Sequence, residues 1–151
     1  MTLFIVFLFL AIYNAGCMTT LQLQHYGIYP AVGREGFADY MKANNRAAAV
    51  PTIVPGILLL LVSVGLVFFR PPFVGTLEGV AAFLLNFIAF MSTFLWQRKL
   101  QGEMAITGYD EGKVRLLIST NWIRTISYWL QAILAIAILV HLVQTGMVTP
   151  S

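Results

Sequence analysis

Four apolar stretches, each long enough to cross a bilayer, constrain this chain more than any other feature. Residues 2–24, 47–69 and 125–144 contain no Asp, Glu, Lys or Arg, and 76–96 contains only Glu78. A helix needs about 20 such residues to cross the hydrocarbon of a bilayer. With 59% hydrophobic and only 10% charged residues, the chain has too little polar surface to cover a water-soluble globule. Four crossings with short connections use up the 151 residues. The expected fold is all-α, an integral membrane four-helix bundle forming one domain over residues 1–151, with the lipid bilayer as its solvent.

The ends of the stretches are set by breakers and charges. Pro30 and Gly33 follow the first stretch, and Arg70-Pro71-Pro72 closes the second, because proline removes a donor and clashes with the preceding turn. The N-terminus enters apolar sequence without the basic segment of a secretory signal, so it reads as a retained span. Asn14-Ala15-Gly16-Cys17 partly matches a lipoprotein cleavage box, but Asn14 stands where an aliphatic residue belongs. Cys17 is the single cysteine, which excludes an internal disulfide framework. The last apolar stretch, Val114 to Val143, exceeds one upright span. A guanidinium at mid-bilayer costs several kcal/mol, so Arg124 is expected at the boundary, leaving 125–144 as the span and 110–121 along the interface.

Basic residues near the span ends orient the bundle. Arg34, Lys42 and Arg46 lie in the first connection, and Arg98, Lys99, Lys113 and Arg115 in the third, with Arg124 beside it. The middle connection has only Arg70. The positive-inside rule then places connections one and three in the cytoplasm and both termini outside. Trp96 and Trp122, near the cytoplasmic ends of spans three and four, agree with an aromatic belt. No basic run suits nucleic acid. Within the first connection Phe37, Tyr40, Met41, Asn44 and Ala48 recur at helical spacing, which predicts an amphipathic helix over 34–46 lying on the membrane surface. Pro51 and Pro55 predict a bend near the start of span two, its freed carbonyls taken up by neighbouring helices.

Polar residues inside a bilayer turn toward the bundle interior. Asn121, Arg124, Tyr128 and Gln131 share one helix face. So do Asn86, Phe90, Thr93 and Gln97; Asn14, Met18, Leu21 and His25; and Thr52, Gly56, Leu59 and Ser63. For most of these, hydrogen bonding between helices is explanation enough, at about 1 kcal/mol per bond. His25, Glu103, Asn121 and Arg124 stand apart, because titratable groups converge at one depth beside Trp96 and Trp122. They read as candidate catalytic residues His25, Glu103 and Arg124, with Asn121, Trp122, Tyr128, Trp96 and Gln97 lining a substrate site. An imidazole beside a carboxylate can remove a proton while Arg124 stabilises the resulting anion. The structural alternative has Arg124 bonding helix-end carbonyls and headgroup phosphates while His25 sits in water.

No metal or cofactor is expected. His25 and His141 are the only histidines and fall at opposite ends of their spans, about 30 Å apart, so haem held by paired histidines is disfavoured. No two-His or Cys-x-x-Cys spacing exists. Glu78, at the outer end of span three, suits a helix N-terminus better than proton coupling.

Phe37-Ala38-Asp39-Tyr40 before a proline-bearing span, Trp96-Gln97 closing the third, and Gly108-Tyr109 leading into Asn121-Trp122-Ile123-Arg124-Thr125 form an order that resembles small four-helix membrane proteins of uncharacterised function, similar to the anthrone oxygenase-like family. The resemblance implies a four-helix bundle and, for members with an assigned activity, cofactor-independent oxidation of lipophilic polycyclic phenols. The chain departs from that pattern where a histidine is expected after span three, having Leu100-Gln101-Gly102 instead, and span two has no acidic residue. Two functional expectations therefore stand. The first is an accessory or structural subunit of a larger membrane assembly, whose partners are other membrane subunits. The alternative is a binding protein or cofactor-independent oxidoreductase for a lipophilic small molecule at the cytoplasmic face.

Overall fold

The computed structural model describes residues 1–146, and these form helices joined by short turns, with no strand among them. Residues 147–151, which carry the C-terminus assigned to the outer face, lie outside the described part. Helix α1 (Thr2–Thr20) continues without a gap through a π turn (Leu21–His25) and a 3-10 segment (Tyr26–Ala31). Helix α2 (Phe37–Ala47) follows, then a second π turn (Ala49–Ile53) that opens α3 (Val54–Phe68). Helix α4 (Thr76–Ser92) passes through a third π turn (Thr93–Gln97) into α5 (Arg98–Thr107), and α6 (Glu111–Gln144) completes the chain.

These elements make four continuous rods of 30, 20, 32 and 34 residues, each long and apolar enough to cross a membrane. At 1.5 Å per residue the second rod is about 30 Å long and the other three about 45–51 Å. The excess of the three longer rods lies at one end, where α2 packs on α5 and takes the place of the extension the second rod lacks. Successive rods are antiparallel, and each packs on two others in a closed ring: α1 on α3, α3 on α4, α4 on α6, and α6 on α1.

The inward faces follow the helical period. Phe4, Phe7, Ala11, Ala15 and Met18 bury one stripe of α1, and Ala132, Ala135, Ile138 and Leu142 one stripe of α6. Small residues bring backbones close. A Cβ on Gly79 of α4 would lie 3.0 Å from the Leu66 carbonyl oxygen of α3, the near approach that glycine permits between apolar helices. The outward faces are equally apolar: Phe9, Leu61, Leu84, Phe87 and Ile133 are exposed. Only 22–39% of the most apolar window of each rod is buried, so protein packing alone does not cover these helices.

The other end has a core of its own. Tyr26, Tyr29, Phe37, Met41, Leu100, Met104 and Leu117 are buried together, with Phe37 edge-on to Tyr29 at 5.7 Å and to Tyr109 at 5.1 Å. This head closes through tight joints. Gly108 adopts φ 82°, a left-handed conformation open to glycine, and ends α5. Asp110 then caps α6, its carboxylate accepting from the Lys113 backbone N–H at 2.9 Å.

Several boundaries differ from those expected. The first rod runs past residue 24 to Ala31, since nothing before Pro30 stops it, and the third past Trp96 to Thr107, because the charges of Arg98 and Lys99 end an apolar stretch without breaking a helix. The helix expected over 34–46 begins at Phe37, after Gly33 and Gly36. Residues 110–121 are not a separate interfacial helix. They are the opening turns of α6, which runs unbroken to Gln144, since nothing between Asp110 and Arg124 stops it. Pro51 and Pro55 fall in and just after the second π turn. The Pro51 carbonyl accepts from the Tyr13 hydroxyl at 3.0 Å and the Cys17 thiol at 3.7 Å, and the Pro55 carbonyl from Asn14 Nδ2 at 3.4 Å. Because Pro55 lacks the N–H that would bond the Pro51 carbonyl, neighbouring side chains take up that freed acceptor. At the opposite end, Glu78 accepts from the Gly75 backbone N–H at 2.7 Å and caps α4.

Candidate functional site: a cavity between bundle and head

A π turn holds one residue more than an α turn and widens the rod locally. Three of the four rods carry such a turn, and residues of all three turns line one cavity: Leu21 and His25, Thr52 and Ile53, Thr93 and Gln97. The widened turns therefore lie at one level, where the bundle meets the head. The cavity measures about 320 Å³. Its roof is the C-terminal end of α2 with Asn44, Asn45 and Ala48, and Arg98 and Gln101 of α5 form one side.

Beneath and beside it runs a layer of buried amides. Asn121 donates to Gln22 Oε1 at 2.8 Å, and Gln22 in turn donates to the Ile118 carbonyl at 3.1 Å. Arg124 Nη1 donates to Asn121 Oδ1 at 3.2 Å. The Gln97 amide bridges the hydroxyls of Ser92 and Thr120, each at 3.2 Å. A low-dielectric interior strengthens such bonds and raises the cost of any group left out.

Arg124 is such a group. It is only 7% exposed, its Nε is enclosed without a hydrogen-bond partner, and it lines the cavity. The three ion pairs among the described residues are Lys42–Asp39, Lys113–Glu103 and Arg115–Glu111, so no carboxylate there pairs with Arg124. None of the cavity-lining residues is acidic, and two are arginines, Arg98 and Arg124.

The residues singled out in the sequence separate here. His25, Gln97 and Arg124 line the cavity, Asn121 supports Arg124 from below, and Tyr128 borders a slot that adjoins the cavity at Arg124. Glu103 does not join them. It pairs with Lys113 at 3.0 Å on the flank of the head. Trp96 is half-buried against the head core, and Trp122 is exposed beside a groove between α1 and α6. The partner of His25 is an amide, not a carboxylate: Nε2 lies 2.8 Å from Asn44 Oδ1. The Tyr29 hydroxyl stands 3.4 Å from the same nitrogen. Among the described residues no three His, Cys, Asp or Glu side chains gather to hold a metal ion.

Sequence reasoning missed Gln22, Asn45, Gln101 and Arg98. Gln22 had a signal, since Asn14, Met18 and Gln22 recur at intervals of four, one helix face. The π turn admits both Gln22 and His25 to the interior side, which a single periodic line excludes. Asn45 and Gln101 lie in separate elements joined by a bond from Asn45 Nδ2 to the Gln101 carbonyl at 3.4 Å, and no local pattern announces that contact.

No protein-family model, no curated protein and no solved structure matches this chain.

Proposed function

We propose that this chain is a four-span integral membrane protein whose cavity, at the level of the cytoplasmic headgroups, binds a lipophilic small molecule. The observation that carries the reading is the coincidence of three π turns around one polar-lined cavity, directly above an apolar bundle whose outer face is uncovered. Pro51 and Pro55 account for the wide turn of the second rod, but no proline lies in those of the first and third, and wide turns of this kind are frequent at binding and catalytic sites. Eight of the nine basic residues lie at the head end, all but Arg70. By the positive-inside rule the head then faces the cytoplasm and the N-terminus faces outward.

Binding has better support than acid–base chemistry. The His25 partner Asn44 is neutral and gives none of the stabilisation that a carboxylate would give an imidazolium. Oxidation of a phenol, which the likeness to anthrone oxygenase-like proteins implies, would place the substrate oxygen between His25 and Arg124. The accessory-subunit reading rests on composition, since lipid covers the exposed apolar faces as well as a protein partner does.

The test is to purify the full chain from membranes in a mild detergent and weigh it by native mass spectrometry. A retained ligand is expected on the wild type and lost from Thr93→Trp and Ala48→Trp, each of which places an indole in the cavity wall. A wild-type protein with the helical circular dichroism of a folded bundle but no retained or rebound lipophile would sink the reading. Reporter fusions behind the head end and at the N-terminus check orientation, and an N-terminus in the cytoplasm would reverse it.

A further inference from the structure

The cavity is one of two hollows that share a wall. A narrow slot of about 40 Å³ runs between α3 and α4, lined by Gly56, Ile57, Phe90, Phe94 and Tyr128, and it adjoins the cavity along Thr52, Ile53, Thr93, Arg98 and Arg124. The two differ in chemistry. Amides, hydroxyls and His25 line much of the cavity, whereas the slot is apolar and leads to Ile57 and Phe94, which are exposed on the outer face of the bundle. Both arginines sit at the junction. The Arg98 guanidinium stands 5.8 Å from the centre of the Phe94 ring, and Arg124 is buried with no carboxylate partner.

A buried guanidinium without a counter-ion loses its hydration and gains little in return. Neutral amides offset only part of that loss, and one Arg124 nitrogen is left without any acceptor. An oxyanion supplies both the missing charge and the missing acceptors, and the fork of an arginine fits carboxylate and phosphate. We infer that the ligand is an anionic amphiphile: its carboxylate or phosphate is held by Arg124 and Arg98, and its hydrocarbon part leaves between α3 and α4 into the lipid, the slot there taking only the first methylenes. The inference rests on the binding reading above and gives that site its ligand class. Gly56 is part of the fit, because a Cβ there would stand 3.3 Å from the Tyr128 hydroxyl and narrow the slot beside Arg124.

The test uses the full chain, freed of lipid in a nonionic detergent, with five probes: oleate, dioleoyl phosphatidic acid, oleyl alcohol, sodium acetate and inorganic phosphate. Oleate and the phosphatidic acid are expected to bind at least tenfold more tightly than oleyl alcohol, and acetate and phosphate more weakly than either. The preferred of the two lipids identifies carboxylate or phosphate as the headgroup. Arg124→Gln should abolish the preference for the anion, oleate and oleyl alcohol then binding alike, with helicity checked by circular dichroism. Arg98→Gln, at an exposed position and so independent of folding, should reduce the preference severalfold. Equal binding of oleate and oleyl alcohol, both lost in Thr93→Trp, overturns the anion assignment and leaves the binding site standing. Acetate or phosphate binding as tightly as the lipids overturns the amphiphile assignment. Failure of every probe on a folded wild type overturns this inference and the binding reading together.

Discussion

The bundle and the head are built from the same chain by opposite rules. In the bundle both faces of each helix are apolar: Phe4, Phe7, Leu59 and Leu66 lie inside beside the small Gly56, Gly79, Ala82, Ala89 and Ala135, while Phe9, Phe87, Leu61 and Ile133 lie outside. In the head, α2 has the ordinary amphipathic pattern, with Phe37 and Met41 buried and Asp39, Lys42 and Arg46 exposed. On the membrane reading proposed above, the difference reflects two solvents. Where lipid surrounds a helix, burial brings little hydrophobic gain and close packing decides; where water surrounds it, removing aromatic surface drives folding. Polar side chains behave accordingly. In the bundle Asn86 is fully buried with both amide atoms unpartnered, while at the junction Asn121 joins Gln22 and Arg124.

The largest way to break this comparison is Phe37→Ala. Removing a fully buried ring that meets Tyr29, Tyr40 and Tyr109 is expected to cost the head about 3–5 kcal/mol. Near-ultraviolet circular dichroism of the tyrosines should melt early while far-ultraviolet helicity persists. Simultaneous loss of both signals would show that head and bundle are one cooperative unit. Asn121→Leu comes next, at about 2–4 kcal/mol, because it strands the Gln22 amide oxygen and removes the acceptor that Asn121 gives Arg124; the measurement is the melting temperature in detergent.

The same substitution in the bundle should act in the opposite direction. Asn86→Leu removes a polar group that has no partner among the described residues, and a stability gain of about 1 kcal/mol is expected. A loss would mean that Asn86 has a polar partner in the membrane. The smallest effect belongs to the surface of the head. The Lys42 ammonium, 2.8 Å from Asp39, holds that carboxyl below its ordinary range. A lowered folded pKa stabilises above the unfolded value of about 4 and is lost as pH falls through the folded one. For a pair this exposed, Asp39→Asn should leave thermal melts above pH 5 unchanged, and a clear shift there would place Asp39 in a contact outside the isolated chain.

The four long apolar helices and most of the inward positions could be read directly, though Leu21, His25, Thr52, Phe90 and Thr93 of the same lines are only partly buried. Asn14, Met18, Gly56, Leu59, Ser63, Asn86, Gln97, Asn121, Arg124, Tyr128 and Gln131 are all buried, because polar and small side chains at intervals of three and four have no good alternative. Rod lengths could not. The charges at Arg98, Lys99, Lys113 and Arg115 read as ends of apolar stretches, yet the helices run on because capping and glycine, not charge, terminate them. Glu103 illustrates the matching limit for the site. It stood near His25 in every one-dimensional account of depth, and only the lateral packing of α5 against α6 gave it to Lys113.

The sequence by itself determined four apolar helices, one end rich in positive charge, and an arginine at the border between them, since these follow from period and composition. Only the tertiary structure decided that three of the rods widen at one level, that α2 roofs the gap above the short second rod, and that Arg124 lies there without a carboxylate. The reason is physical. An extra residue in a turn changes which side chains face inward by a fraction of a rotation, and whether two charges meet depends on how the rods pack laterally, neither of which is a property of the residues' order.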